Sequence, residues 1–166
     1  MLNDYVMIIR EYKPKDREAV EKCIFELQED EYKLNPDYWT TPEEATTKYL
    51  DYLLPNIEKK EGKLYVAEVD GVVKGFIAVL VNNDTYEDNG PCIKLRKFVY
   101  VTDLVVLKSD QKNGIGWDLL KVAEEYGRKI GIEYIGLHVS KDNSAIEFYQ
   151  KNGYSERHIS MDKKLS

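Results

Sequence analysis

The feature that most limits the fold is a change of hydrophobic period inside one continuous stretch. Residues 97–107, KFVYVTDLVVL, read as a strand whose second half is largely apolar. From Ile115 onward, Ile115, Leu119, Val122, Ala123, Tyr126 and Ile130 return every three or four positions, as on one face of a helix ending near Gly131. Between the two periods lies DQKNGIGWDLL, Asp110 to Leu120, with Gly114 and Gly116 at the mouth of the helix. A strand that enters a helix through a short glycine loop is the first half of a crossover, so the sheet must carry helices against its faces.

The rest of the chain supplies the other elements. Val6 to Arg10 is a short β-branched run, and Pro14 breaks it before a helical segment from Asp16 to Lys33. There Val20, Cys23, Ile24 and Leu27 share one face, which places Cys23 in the core. A second helix opens with Thr41 as N-cap, Pro42 at the first position and Glu44 placed for a capping box, and is expected to be interrupted near Pro55. KLYVAEVDGVVKGFIAVLV then reads as a hairpin turning at Asp70-Gly71, the dipeptide that supplies positive φ angles. After the glycine segment come a strand in EYIGLHVS, a short helix in NSAIEFYQKNG capped by Asn143, and a last strand in RHISMDKKL. The order predicts an α/β (α+β) fold in a single domain over residues 1–166.

Composition narrows the function. The 166 residues are 43% hydrophobic, enough for one core, and the balance of 24 basic against 30 acidic residues leaves a net charge of −6. That sign excludes a protein whose main task is gripping nucleic acid. Cys23 and Cys92 are far apart with no CxxC spacing, which argues against a disulfide framework or a thiolate zinc site. The N-terminal MLNDYVMIIREY lacks the basic start and apolar core of a leader, and no run approaches the about 18 apolar residues of a membrane span. A cytoplasmic location and no membrane partner are expected.

Two bare residues at a helix start suit either a tight turn or an anion resting on unpaired amides. A dinucleotide fingerprint fails because Leu119 stands where a third glycine is needed, and no Walker-type G-x-x-x-x-G-K-[ST] string occurs. Gln111-Lys112-Asn113-Gly114-Ile115-Gly116 instead fits Q/R-x-x-G-x-G/A between an apolar strand and an amphipathic helix. In that motif the sequence resembles the GNAT superfamily of acyl-CoA-dependent N-acyltransferases. VSKDNSAIEFYQKNGY, Val139 to Tyr154, is similar to the second family motif: an asparagine, a short helix with a Phe-Tyr pair, then glycine and an aromatic.

The resemblance implies a GNAT-like domain with a mixed, mostly antiparallel sheet of about six to seven strands flanked by four helices. It implies acetyl-CoA as cosubstrate, its pyrophosphate on the amides of Asn113, Gly114, Ile115, Gly116 and Trp117, with Gln111 and Lys112 as further donors. Leu104, Val105 and Val106 correspond to the strand that splays from its neighbour and meets the pantetheine arm, where an amide could also serve a developing oxyanion. Tyr149 matches a tyrosine whose hydroxyl reaches the sulfur of coenzyme A, and a phenol is protonated at neutral pH and able to act as general acid. Asn143 fits a helix cap first and a cofactor contact second.

The general base is open between Asp103, Tyr100 and a water chain, and strand alternation sets Asp103 on the face opposite Thr102 and Leu104. His138 and His158 are isolated strand residues, so no metal is expected. The partner is a small-molecule or peptide amine, with Glu26, Glu29, Asp30 and Glu31 suited either to a cationic acceptor or to solvent. A homodimer through the terminal strands is compatible with the pattern. A coenzyme A binding module without transfer activity, or an interaction domain with an idle turn, are the competing classes.

Overall fold

A computed structural model of the chain describes residues 6–165; residues 1–5, part of the stretch read for a leader, and residue 166 lie outside it. The elements follow in the order β1 (Met7–Glu11), α1 (Arg17–Leu34), α2 (Pro42–Lys59), β2 (Lys63–Val69), β3 (Val72–Asn83), the short α3 (Tyr86–Asn89), β4 (Lys97–Val106), α4 (Ile115–Lys129), β5 (Ile135–Leu137) and α5 (Ala145–Lys151). The strands form one five-stranded sheet in sequence order, antiparallel from β1 to β4 and parallel between β4 and β5. The parallel step is the one that contains α4, as the strand-loop-helix stretch requires.

Each face of the sheet is closed by helices. On one side Val20, Cys23 and Ile24 of α1 and Leu50 and Leu53 of α2 pack on Val66, Phe76, Ala78 and Val105. On the other, Ile115, Leu119, Leu120 and Ala123 of α4 pack on Ile77, Val79, Val99 and Val101. Burial of the Cys23 side chain pushes its thiol up to about 12, which makes it inert core. The hairpin turns where expected, with Asp70 and Gly71 at φ 49° and 83°. Thr41 caps α2 by accepting from the Glu44 amide at 3.4 Å.

One buried charge network pins the first strand. The Arg10 guanidinium donates to both Asp16 carboxylate oxygens, at 2.7 and 2.9 Å, and to Glu68 on β2 at 2.9 Å. Asp16 also accepts from the Lys13 amide at 2.8 Å, so one side chain ties β1 to the entrance of α1. The guanidinium beside it holds the Asp16 carboxyl below the usual carboxylate range.

Three expectations are corrected. Helix α2 runs unbroken through Pro55, because Pro55 and Asp51, whose carbonyl would lose its partner, both lie on the exposed face where water serves. The terminal strand expected in RHISMDKKL does not form, so the sheet has five strands rather than six to seven, and His158 sits in exposed coil. A three-residue β5 is too short a template for it, and Ile159 and Met161, the residues such a strand would bury, are 84% and 90% exposed. His138 lies one residue beyond β5 rather than within a longer strand.

Phe76→Ala, which empties a fully buried ring site in β3, is expected to cost about 3–5 kcal/mol in urea denaturation. Because the Asp16 carboxyl is depressed in the fold, its contribution is complete above its ordinary value of about 4 and is lost as pH falls through the folded value. The stability gap between the wild type and Asp16→Asn should therefore be present at neutral pH and shrink in strong acid.

Candidate active site

The site begins where β4 and β5 part. Their ladder pairs Val99 with Ile135, Tyr100 with Gly136 and Val101 with Leu137, and stops there. Beyond Val101 the strand stays paired to β3 on its other side, so residues 102–106 present main-chain groups along an edge that β5 has left. Leu104, Val105 and Val106 all lie on this edge. Leu104 and Val106 turn their side chains toward α4, while Val105 belongs to the α1–α2 core.

The parting coincides with a slip in register. Ala78 pairs with Asp103 and Val79 with Val101, which leaves Thr102 as the extra residue, its hydroxyl donating to the Ala78 carbonyl at 3.2 Å. Such an extra residue reverses alternation. Val99 and Val101 before it, and Leu104 and Val106 after it, all face α4, so Tyr100 and Asp103 share the opposite face. Strict alternation had separated them.

From Val106 the chain leads directly to the mouth of α4. Gly114 is the N-cap at φ 83°, and Lys112 is held at φ 66°, a left-handed conformation that non-glycine residues seldom adopt. The Asp118 amide is bonded to the Gly114 carbonyl at 3.1 Å, which leaves the amides of Ile115, Gly116 and Trp117 as the unpaired first turn of a 15-residue helix. Of the expected side-chain donors, Gln111 is directed inward and donates to the Val106 carbonyl at 3.1 Å; the side chain of Asn113 does likewise, donating to the Asp110 carbonyl at 3.3 Å. An anion here is met by backbone on a loop braced by its own side chains. Lys112 is exposed, Ile115 is buried in the core, and Trp117 is 44% exposed with the Lys121 ammonium 5.9 Å from its ring centre.

The second motif closes on the first. A Cβ built on Gly116 would lie 3.6 Å from the Phe148 ring and 3.7 Å from Val106, so α5, the first turn of α4 and the free edge of β4 meet at one point. Around Gly114 a Cβ would meet nothing within 4 Å, which leaves open space in front of the first-turn amides. Those features fit coenzyme A: space and amides for a pyrophosphate, then an unpaired edge for the amide-bearing arm. Tyr149 packs edge-on against Phe148 and Tyr154, at centroid distances of 5.3 and 5.8 Å. Burial first, and the charge of Asp103 second, push its hydroxyl up to about 12.

A second set of polar groups comes from α1, α2 and the loop after β5. Asn143 uses both ends of its amide: its oxygen accepts from the Ala145 amide at 2.8 Å, and its nitrogen donates to Glu31 at 3.3 Å, while the N-cap of α5 is Ser144, one residue later than expected. Glu31 is half-buried there, and desolvation raises its carboxyl above the usual range. Asp103 is buried, which likewise raises its carboxyl, and it accepts from the Tyr49 hydroxyl at 2.7 Å. On the same strand the Tyr100 hydroxyl lies 3.1 Å from His138 Nδ1.

Tyr49 is the residue that sequence reasoning missed. Its position beside Leu50 on the buried face of α2 was the available signal, a phenol where an apolar side chain would serve packing as well. Among the described residues, no group of three or more His, Cys, Asp and Glu side chains could hold a metal ion, and no helix is long and apolar enough to cross a membrane.

Comparison with known proteins agrees with this geometry. The BH1408 protein of Bacillus halodurans, solved as a tetramutant, superposes with a TM-score of 0.83 over 95% of this chain and 99% of its own at 21% identity. An aminoglycoside N-acetyltransferase solved with CoA gives a TM-score of 0.67 over 99% and 98% of the two chains at 18% identity. At such identities the likeness is one of fold. A chloroplastic GCN5-related N-acetyltransferase of Arabidopsis thaliana is 41% identical over 59 residues, 35% of this chain and 20% of its own. An uncharacterized N-acetyltransferase of Methanocaldococcus jannaschii is 31% identical over 104 residues, 62% of this chain and 43% of its own. The chain thus spans less than half the length of either curated relative. The model of the acetyltransferase (GNAT) family matches residues 23–154, across the parted strands, the first turn of α4 and the Phe148-Tyr149 helix, and the chain belongs to that family.

Proposed function

We propose that the chain is an N-acetyltransferase that moves an acetyl group from acetyl-CoA to a primary amine by direct attack within a ternary complex. The observation that carries this reading is the end of the β4–β5 ladder at Val101, whose freed edge lies beside the unpaired first turn of α4, where Gly116 approaches Val106. Acetyl-CoA supplies an acetyl thioester that an uncharged amine can attack. The protein supplies placement and proton handling.

The amides of Ile115, Gly116 and Trp117 and the N-terminal end of the α4 dipole hold the pyrophosphate. Main-chain groups of Leu104, Val105 and Val106 align the arm and orient the thioester carbonyl. The new bond joins the amine nitrogen to the acetyl carbon, and the bond that breaks is the one from that carbon to sulfur. The proton lost by the amine goes to the Asp103 carboxylate, and Tyr149 returns one to the departing sulfur. A carboxyl raised by burial is matched to that task, since a base works best with a value nearer the working pH.

The acceptor class follows from the walls. Buried Asp103, half-buried Glu31 and the hydroxyls of Tyr49 and Tyr100 favour a group that arrives as a cation, loses one proton to solvent before attack and gives the second to Asp103 during it. Small-molecule amines, polyamines and peptides all present such a group, and the deciding experiment is thiol release from acetyl-CoA across a panel of all three. Thermal stabilisation by coenzyme A with no thiol release for any amine would instead mark a binding module.

Tyr149→Phe is expected to lower kcat on the order of a hundredfold, with the KM for acetyl-CoA within about twofold. Because the Tyr149 hydroxyl is held up to about 12, the wild type should show no alkaline loss of kcat from this group below about pH 11. Unchanged turnover in the variant would remove the acid role. Gly114→Ala should lower the melting temperature slightly, by the ~1 kcal/mol strain of a side chain at positive φ, yet abolish most of the stabilisation by coenzyme A. Thermal shift with and without coenzyme A separates the two effects.

A further inference from the structure

Among the described residues, Asp16 and Asp103 are the buried carboxylates, and they are answered differently. Asp16 has the Arg10 guanidinium, a full countercharge, at 2.7 Å. Asp103 has a phenol. The groups facing it are Tyr49 from α2, Thr102 and Tyr100 from its own strand and Tyr149 from α5, all neutral, with His138 behind Tyr100. The remaining side chains on that face come from the apolar cluster of α1, α2 and β3, Cys23 included. A carboxylate buried without a cation is costly to the fold, and a group kept at such cost beside an unpaired strand edge is a candidate for chemistry.

We propose that Tyr49 is a positioning residue for the transfer reaction: its hydroxyl, donating to Asp103 Oδ2 at 2.7 Å, fixes the carboxylate in one orientation and preserves it as the acceptor of the amine's proton. The proposal rests on the proton-acceptor role assigned to Asp103 above. A hydrogen bond donated to the charged form of an acid favours that form, so Tyr49 opposes the effect of burial on Asp103. The phenol itself is driven far above its ordinary range, by burial first and by the Asp103 charge second, and remains a donor at any working pH. Tyr49 thereby holds Oδ2, and the Thr102 hydroxyl bonds the same carboxyl. Helix α2, through one side chain, becomes part of the catalytic apparatus.

The test uses Tyr49→Phe, which keeps the ring and removes the donor, with Tyr52→Phe on the exposed face of the same helix as control. Two readouts are taken: the titration of the Asp103 carboxyl carbon by ¹³C NMR, identified by its absence in Asp103→Asn, and the pH profile of kcat/KM with acetyl-CoA and the fastest acceptor of the amine panel. In Tyr49→Phe the Asp103 midpoint should rise by roughly one pH unit, and the acid limb of the kcat/KM profile should move to higher pH by the same amount, with activity recovered as pH is raised. The KM for acetyl-CoA should not change. A uniform loss at every pH, or an Asp103 midpoint equal to that of the wild type, would reduce Tyr49 to a packing residue and overturn the proposal. Failure of the underlying assignment looks different: full turnover in Asp103→Asn would sink the proton-acceptor role whatever Tyr49 does.

Discussion

A strand that loses its neighbour halfway along leaves main-chain groups that nothing in the sheet can satisfy, and β4 does this beyond Val101. Such an edge is tolerable only where water or a ligand completes it. The slip at Thr102 is the local device that makes the parting, since one extra residue adds twist and bends the strand away from its partner. Every element of the site is placed by reference to that gap. The chain leaving it reaches the α4 amides, α5 closes it from one face, and α2 reaches its floor from the other.

In the proposed reaction, acid and base stand on opposite faces of one sheet. Tyr149 packs with the α4 layer and Asp103 with the α1–α2 layer, yet the charge of Asp103 is felt at the Tyr149 hydroxyl. In a closed ladder the sheet would separate the two groups. The proposed transfer takes a proton from the amine on one side and gives one to sulfur on the other.

The site is also held as a unit. Glu31 near the end of α1 bonds the same asparagine that accepts from the first amide of α5, which ties α1 to the helix carrying Tyr149. Gln111 and Asn113 brace the loop ahead of α4 from within, so its left-handed Lys112 and Gly114 are held before any anion arrives. Preorganisation of this kind spares the ligand the cost of ordering the loop.

Sequence alone determined whatever depends on local geometry. The period change around Gly114, the Thr41 cap, the Asp70-Gly71 turn and the helical faces of α1 and α4 were legible because each arises from residues within a few positions of one another. So were the two motifs. Tertiary structure decided what depends on pairing across the chain. Pro55 continues its helix because its face is exposed, and the terminal segment stays unpaired because β5 is short. Asp103 joins Tyr100 because one residue slips against β3, and Tyr49 meets Asp103 because α2 packs over the sheet there. Register, exposure and the meeting of distant side chains are properties of a packed chain, and no local pattern of residue types encodes them.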